Sequence, residues 1–266
     1  VLSHIQNLKD TYNIKHFHFE DDNLTLNPKR TRELLKGLTE LQITWDTPNG
    51  VRADTINEEV AGLMAESGAK SITIAVESGD ENILNSVINK RLDLKKVRNA
   101  ARNLYMADIP TIAFFIIGFP GEDKQAILST LQFAKNLTID YGTLNLLFVA
   151  TPLVGTPLYQ QCMDEELLVA PLNNTTLLSA IRLNQTPLIQ TPEFTKADLL
   201  KWTKIELETP DIICKGSTVP IFWSNKNGER MARKLFGNTT DGSAYNFQMT
   251  GNIDASCSIP VMAKPT

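Results

Sequence analysis

Hydrophobic positions along the first 150 residues switch repeatedly between a helical and a strand period. Residues 1–12 place apolar side chains at 1, 2, 5 and 8, one face of a helix. The segment IKHFHFE (14–20) alternates and predicts a strand. Asn27 and Pro28 open a helix to about Leu38, with proline near its first position. LQITWD (41–46) predicts the next strand, and Asp54/Thr55 cap a helix to about Glu66 that Gly68 stops. Further strands are predicted at 72–77, Thr111–Ile117 and 144–150, with helices at 81–87, Leu94–Met106 and 124–136. Five strands thus alternate with helices, roughly 30 to 40 residues apart, as βα units demand. Several strands are nearly continuous apolar runs, as parallel strands buried on both faces require. The pattern defines an α/β fold, either a barrel or a doubly wound sheet.

Beyond Ala150 the pattern weakens. TPLVGTPLY (151–159) is a Pro/Gly-rich loop, followed by a helix around 158–168, an ambiguous stretch at 177–190 and a capped helix at 195–207. From Thr209 onward the chain is rich in Gly, Asn, Ser, Thr and Pro and loses its periodicity. The expected division is a domain at 1–208 and an irregular C-terminal extension at 209–266.

Composition narrows the functional classes only modestly. A hydrophobic fraction of 42% over 266 residues supports a substantial core. A formal net charge of −4 gives no electrostatic reason to expect nucleic acid or an anionic membrane. Three scattered cysteines (Cys162, Cys214, Cys257) argue against a disulfide framework and for a reducing, cytoplasmic setting. No apolar run reaches the ~18 residues of a membrane helix. The chain has no initiating Met and starts inside a helix pattern, so an excised fragment is expected.

The chemistry concentrates at the predicted strand ends. TIAFFIIGFPGED (111–123) is a buried strand that stops at a glycine turn, where a parallel α/β fold binds small molecules and glycine lets backbone approach a ligand. SITIAVESGDENIL (71–84) ends in the same way at Glu77 and Ser78. Glu20, Asp21, Asp22, Asp46, Glu77 and Glu122 all fall at strand ends and could line one mouth, with helix capping the competing role for Asp22 and Glu122. A carboxylate at Glu77 can accept hydrogen bonds from ribose hydroxyls or an ammonium group. Arg52 could meet a carboxylate there, with an exposed surface arginine the competing role, and Lys90-Arg91 could do the same. His16 and His18 lie on one face of a strand, the pattern of a two-histidine metal site in barrel hydrolases. Such sites draw further histidines from later strands, which have none, so packed histidines are the expectation. Neither GxGxxG nor GxxxxGK[ST] is present, which leaves no support for a dinucleotide fold or a P-loop.

With these segments taken together, the chain resembles the radical S-adenosylmethionine enzymes, in the branch often associated with a cobalamin-binding domain and in its elongator-like and methylthiotransferase-like relatives. The matching segments are HFHFEDDNLTLNPKR (16–30), ITWDTPNGVRAD (43–54), SITIAVESGDENILNSVINK (71–90), FFIIGFPGED (114–123) and LLFVATPLVGTPLY (146–159). The resemblance implies a partial (β/α)6 TIM-like barrel. It implies S-adenosylmethionine and a [4Fe–4S] cluster as cofactors, with cobalamin as a further candidate. The activity implied is reductive cleavage of S-adenosylmethionine to a 5′-deoxyadenosyl radical that abstracts a substrate hydrogen, with methyl or methylthio transfer among the outcomes. The substrate would be a small molecule or peptide, and the electron donor a flavodoxin or ferredoxin.

By resemblance, Glu20, Asp21 and Asp22 meet the methionine amino group, Glu77 and Ser78 the ribose and methionine, and Lys90 the methionine carboxylate. Ile116, Gly118 and Val149 fall near adenine, and Arg52 is a further polar contact. Family members hold their cluster with a CxxxCxxC loop after the first strand, which is absent here. The expectation is therefore a barrel lacking its first strand, inactive in radical chemistry by itself. A degenerate barrel serving as a binding module, or a metal-dependent barrel hydrolase, are the competing readings.

Overall fold

The computed structural model describes residues 1–181 and 186–204, together with isolated positions at 227, 230, 234, 245–246 and 258–259. The anticipated irregular extension therefore lies almost entirely outside the described residues. Five parallel strands, β1 (His16–His18), β2 (Thr44–Val51), β3 (Ala69–Glu77), β4 (Thr111–Ile117) and β5 (Leu144–Val149), stand side by side in the order in which they occur in the chain. Between and after them run helices α1 (Leu2–Tyr12), α2 (Pro28–Leu41), α3 (Glu58–Glu66), α4 (Leu94–Met106), α5 (Lys124–Tyr141), α6 (Pro157–Asp164), α7 (Asn174–Ile181) and α8 (Lys196–Lys204). Crossovers between parallel strands are right-handed almost without exception. With no reversal of strand order, successive right-handed crossovers place their helices on the same face. This is barrel-type winding, and it removes the doubly wound alternative, which needs a switch point.

One core joins sheet and helices. Trp45, Ile72, Ile74, Ala113, Phe115 and Ile117 are fully buried under Leu38, Met64, Val97, Leu104 and Leu137. Alternation along each strand sends the intervening residues to the opposite, more open face, where Phe114 and Phe148 meet edge to face at 5.4 Å. Helices start where strand-end loops provide caps: Asn27 accepts from Arg30 N, Asn57 from Val60 N, Asp93 from Lys95 N and Asp123 from Ala126 N.

Local chemistry moved several expected boundaries. Leu41 is the last residue of α2, and β2 instead continues through Pro48 to Val51. Proline is tolerated because four residues of β2 (Thr47 to Val51) advance while β3 advances two (Ile72 to Ile74), a bulge that takes Pro48 out of the ladder. Residues Ala53–Thr55 form a separate 3-10 turn, so Asn57, and not Asp54 or Thr55, caps α3. The short helix expected at 81–87 is a π-turn at Ile83–Val87.

Candidate functional site

The ends of β2 and β3 and the loop after Ile88 converge on one cluster. At the end of β3, Ala75 pairs with Phe114 and Glu77 with Phe115, so one extra residue bulges the strand. Glu77 takes the left-handed conformation, φ 75°. A non-glycine residue held there stores about 1–3 kcal/mol of strain, a cost that concentrates at functional sites. The bulge and the positive φ re-aim the Glu77 side chain, and its Oε1 accepts a hydrogen bond from Lys90 Nζ at 2.6 Å.

Arg52 holds the loop that carries Lys90. Its Nε and Nη2 donate to the two carboxylate oxygens of Asp54 at 3.0 and 2.9 Å, while Nη1 donates to the Lys90 carbonyl at 3.1 Å and Nη2 to that of Arg91 at 3.4 Å. The fork draws the Asp54 carboxyl below its usual range, mainly through the hydrogen bond from Arg52, and raises Arg52 in return. Glu77, Lys90 and Arg52, far apart in sequence, are thus one connected polar unit.

The glycine turn after β4 is built by Glu122. Its Oε2 accepts from Gly118 N at 2.5 Å and from Phe119 N at 2.9 Å, and Oε1 is buried without a partner among the described residues. Burial pushes the carboxyl up to about 7, outweighing the two backbone N–H groups that pull it down. Glu122 therefore serves the turn and does not line a mouth. Gly118 has φ 90°, and a Cβ there would lie 3.0 Å from Leu199 of α8.

The other sequence candidates divide. Ile116 is half-buried on the open face with Phe114, a suitable wall for a flat apolar group. Val149, paired with Ile117, belongs to the opposite face and packs in the core beside Gly118. Ser78 faces inward. It is fully buried, its hydroxyl sits 3.1 Å from that of Thr130 on α5, and it accepts from Asp80 N at 3.1 Å. Glu20, Asp21 and Asp22 are exposed in the turn after β1, where Asp21 approaches Arg30 at 3.7 Å and Asn49 Nδ2 donates to the Glu20 carbonyl. They are not joined to the Glu77–Lys90–Arg52 unit by any hydrogen bond among the described residues.

Sequence reasoning missed two partners. Asp54 was read as a helix cap, although its spacing of two from Arg52 already allowed a fork. Asp46 was read as a strand-end acid, yet it faces His16 and His18 across the β1–β2 pairing, in which His18 registers with Asp46. Parallel alignment of HFH with TWD would have found it.

A one-sided parallel sheet with a polar cluster at its strand ends defines a barrel-type α/β domain. The chain belongs to the radical SAM superfamily, whose profile matches residues 1–134. The cofactors of that family are S-adenosylmethionine and a [4Fe–4S] cluster. The chain is 32% identical over 171 residues to cytidylyl-2-hydroxyethylphosphonate methyltransferase of Streptomyces wedmorensis, an alignment covering 62% of this chain and 32% of the relative. It is 30% identical over 149 residues to bacteriochlorophyllide d C-12(1)-methyltransferase of Chlorobaculum tepidum, covering 56% and 32%. The fold is similar to that of the radical S-adenosylmethionine methyltransferase TsrM of Kitasatospora setae, solved with cobalamin and a [4Fe–4S] cluster bound. The TM-score is 0.53 at 14% identity, over 88% of this chain and 44% of that one. The chain spans about a third of the length of the curated relatives it matches.

Proposed function

We propose that this chain forms the S-adenosylmethionine-binding wall of a radical enzyme that transfers a methyl group to a small-molecule or peptide substrate. The observation that carries the reading is the Glu77–Lys90 pair. S-adenosylmethionine ends in a zwitterion, an ammonium beside a carboxylate. A carboxylate and an ammonium held side by side on the protein complement that end, Glu77 accepting from the ligand ammonium or from ribose hydroxyls and Lys90 donating to its carboxylate. Arg52 fixes the Lys90 loop so that the pair is set before ligand arrives. Ile116 with Phe114 supplies an apolar surface for adenine.

When bound, a [4Fe–4S] cluster would supply the electron that cleaves the sulfonium. The residues present do not fit it: the sequence has no CxxxCxxC triplet, and the described cysteine, Cys162, is buried on α6 with its thiol pushed up by burial. Thiolate ligation needs the opposite environment. Cobalamin, and an electron donor such as a flavodoxin or ferredoxin, belong to the same reading. Support for methyl transfer comes from the named methyltransferase relatives.

Calorimetric titration of this chain with S-adenosylmethionine tests the reading. Weak binding is expected, reduced at least tenfold by Glu77→Gln and by Lys90→Ala, and unaffected by Glu59→Gln, whose partner Arg32 lies on the surface of α2. Binding that survives both site substitutions, or tight binding without iron, would overturn it.

A further inference from the structure

We propose that His16, His18 and Asp46 form a binding site for a divalent first-row transition metal, separate from the Glu77–Lys90 unit. The three residues occupy the face of β1 and β2 opposite the core. Phe17 and Trp45, which alternate with them, pack into the core, so His16, His18, Thr44 and Asp46 share the other face. One ligand atom from each of His16, His18 and Asp46 falls within 4.8 Å of the others.

The hydrogen bonding around His16 is of the kind that supports a metal-bound imidazole. The Thr44 hydroxyl reaches the Lys15 carbonyl at 3.2 Å and His16 Nδ1 at 2.9 Å, and the tautomer in which Nδ1 donates to it is the one that a metal at Nε2 requires. In a neutral imidazole that tautomer leaves a lone pair on Nε2, and Nε2 lies 3.2 Å from Asp46 Oδ2. Either a proton or a metal ion between these two atoms satisfies both. The chain Lys15 carbonyl, Thr44 hydroxyl, His16 Nδ1–H is also the outer support that metal-bound histidines carry, fixing tautomer and ring orientation. A tetrahedral site with bonds of about 2.0–2.1 Å has ligand atoms about 3.3 Å apart, which the 3.2 Å separation matches. Asp46 uses its second oxygen toward His18 Nδ1 at 2.6 Å, so a single carboxylate binds the three residues into one group.

The donor set selects the ion. Two imidazoles and one carboxylate, with no thiolate, suit zinc, iron(II), cobalt(II) or nickel(II) rather than copper(I). Three protein ligands leave at least one position open, as in catalytic sites. The side chains of His16, His18 and Asp46 are 37%, 38% and 20% exposed, so an outside ligand can reach that position.

The test is titration of chelator-treated protein with Co²⁺, followed by its visible d–d bands and by calorimetry, and repeated with Zn²⁺ in competition. One equivalent is expected to bind with nitrogen and oxygen ligation, without the near-ultraviolet thiolate band that a cysteine site would give. His18→Ala and Asp46→Asn are each expected to weaken binding at least tenfold with circular dichroism unchanged, while Glu77→Gln leaves it intact. The Glu77→Gln arm separates this proposal from the S-adenosylmethionine reading, because either can fail alone. Absence of stoichiometric binding, a thiolate band, or equal affinity in the variants overturns the proposal. So does nitrogen-15 NMR showing His16 protonated on both nitrogens and unmoved by metal.

Discussion

Lys90 places its ammonium 2.6 Å from Glu77 Oε1, and both side chains are largely covered, at 12% and 19% exposure. Removing one charge leaves the other poorly solvated, while removing both leaves neither stranded. Glu77→Gln and Lys90→Met are each expected to cost about 1–3 kcal/mol in urea unfolding. The double variant should cost less than the sum, with a coupling of about 1 kcal/mol or more. S-adenosylmethionine binding should be lost in all three, so that recovered stability without recovered binding marks the pair as functional.

Gly79 follows the bulged end of β3 against α5. A Cβ there would stand 2.5 Å from Phe133 Cβ and 2.8 Å from Thr130 Cα. Both contacts are with rigid parts of the helix, so Gly79→Ala must push α5 away from the strand end. A loss of about 1–3 kcal/mol is expected, the usual cost of overpacking, together with weaker S-adenosylmethionine binding, read by thermal unfolding and calorimetry.

Burial raises Glu122 from 4.5 to about 7, so the folded chain holds this proton more tightly than the unfolded chain. The resulting stabilisation is complete below pH 4.5 and is lost as pH rises through about 7. At roughly 1.4 kcal/mol per unit, the loss is about 3.5 kcal/mol. Glu122→Gln should flatten this part of the profile. The difference between wild type and variant, measured by urea unfolding at several pH values, should therefore slope between 4.5 and 7 and level off above.

Arg52→Lys keeps the charge but removes the planar fork to Asp54 and the paired reach to the carbonyls of Lys90 and Arg91. Hydrogen exchange should quicken in residues 88–92 with little change in the strands. Global stability should fall by about 1 kcal/mol or less, because Arg52 and Asp54 remain partly exposed.

The strand and helix sequence was legible because its signals are local. Thr111–Ile117 and Leu94–Met106 end where the periods predict, bounded by Pro110 and Gly118 in one case and capped by Asp93 in the other. The limits of β2 were not legible, since tolerance of Pro48 depends on a bulge against a strand twenty residues on. The site was legible in part. Glu77 and Lys90 could be singled out by their places in motifs, but their pairing rests on a left-handed residue that nothing in VESG announces. Ser78 falls at the same strand end as Glu77, yet its hydroxyl packs inward against that of Thr130, fifty-two residues away. The His16–His18–Asp46 group needed strand register, which periodicity alone does not give.

The strand order β1-β2-β3-β4-β5 has a consequence for how the molecule is made. Among the described residues, each strand of this sheet hydrogen-bonds to the strands immediately before and after it in the chain. A ribosome therefore releases the sheet in the order in which it can be assembled, each new βα unit docking on a finished edge without waiting for a distant partner. Growth from one end favours orderly folding during synthesis. At each stage the growing edge is the one that the next βα unit covers.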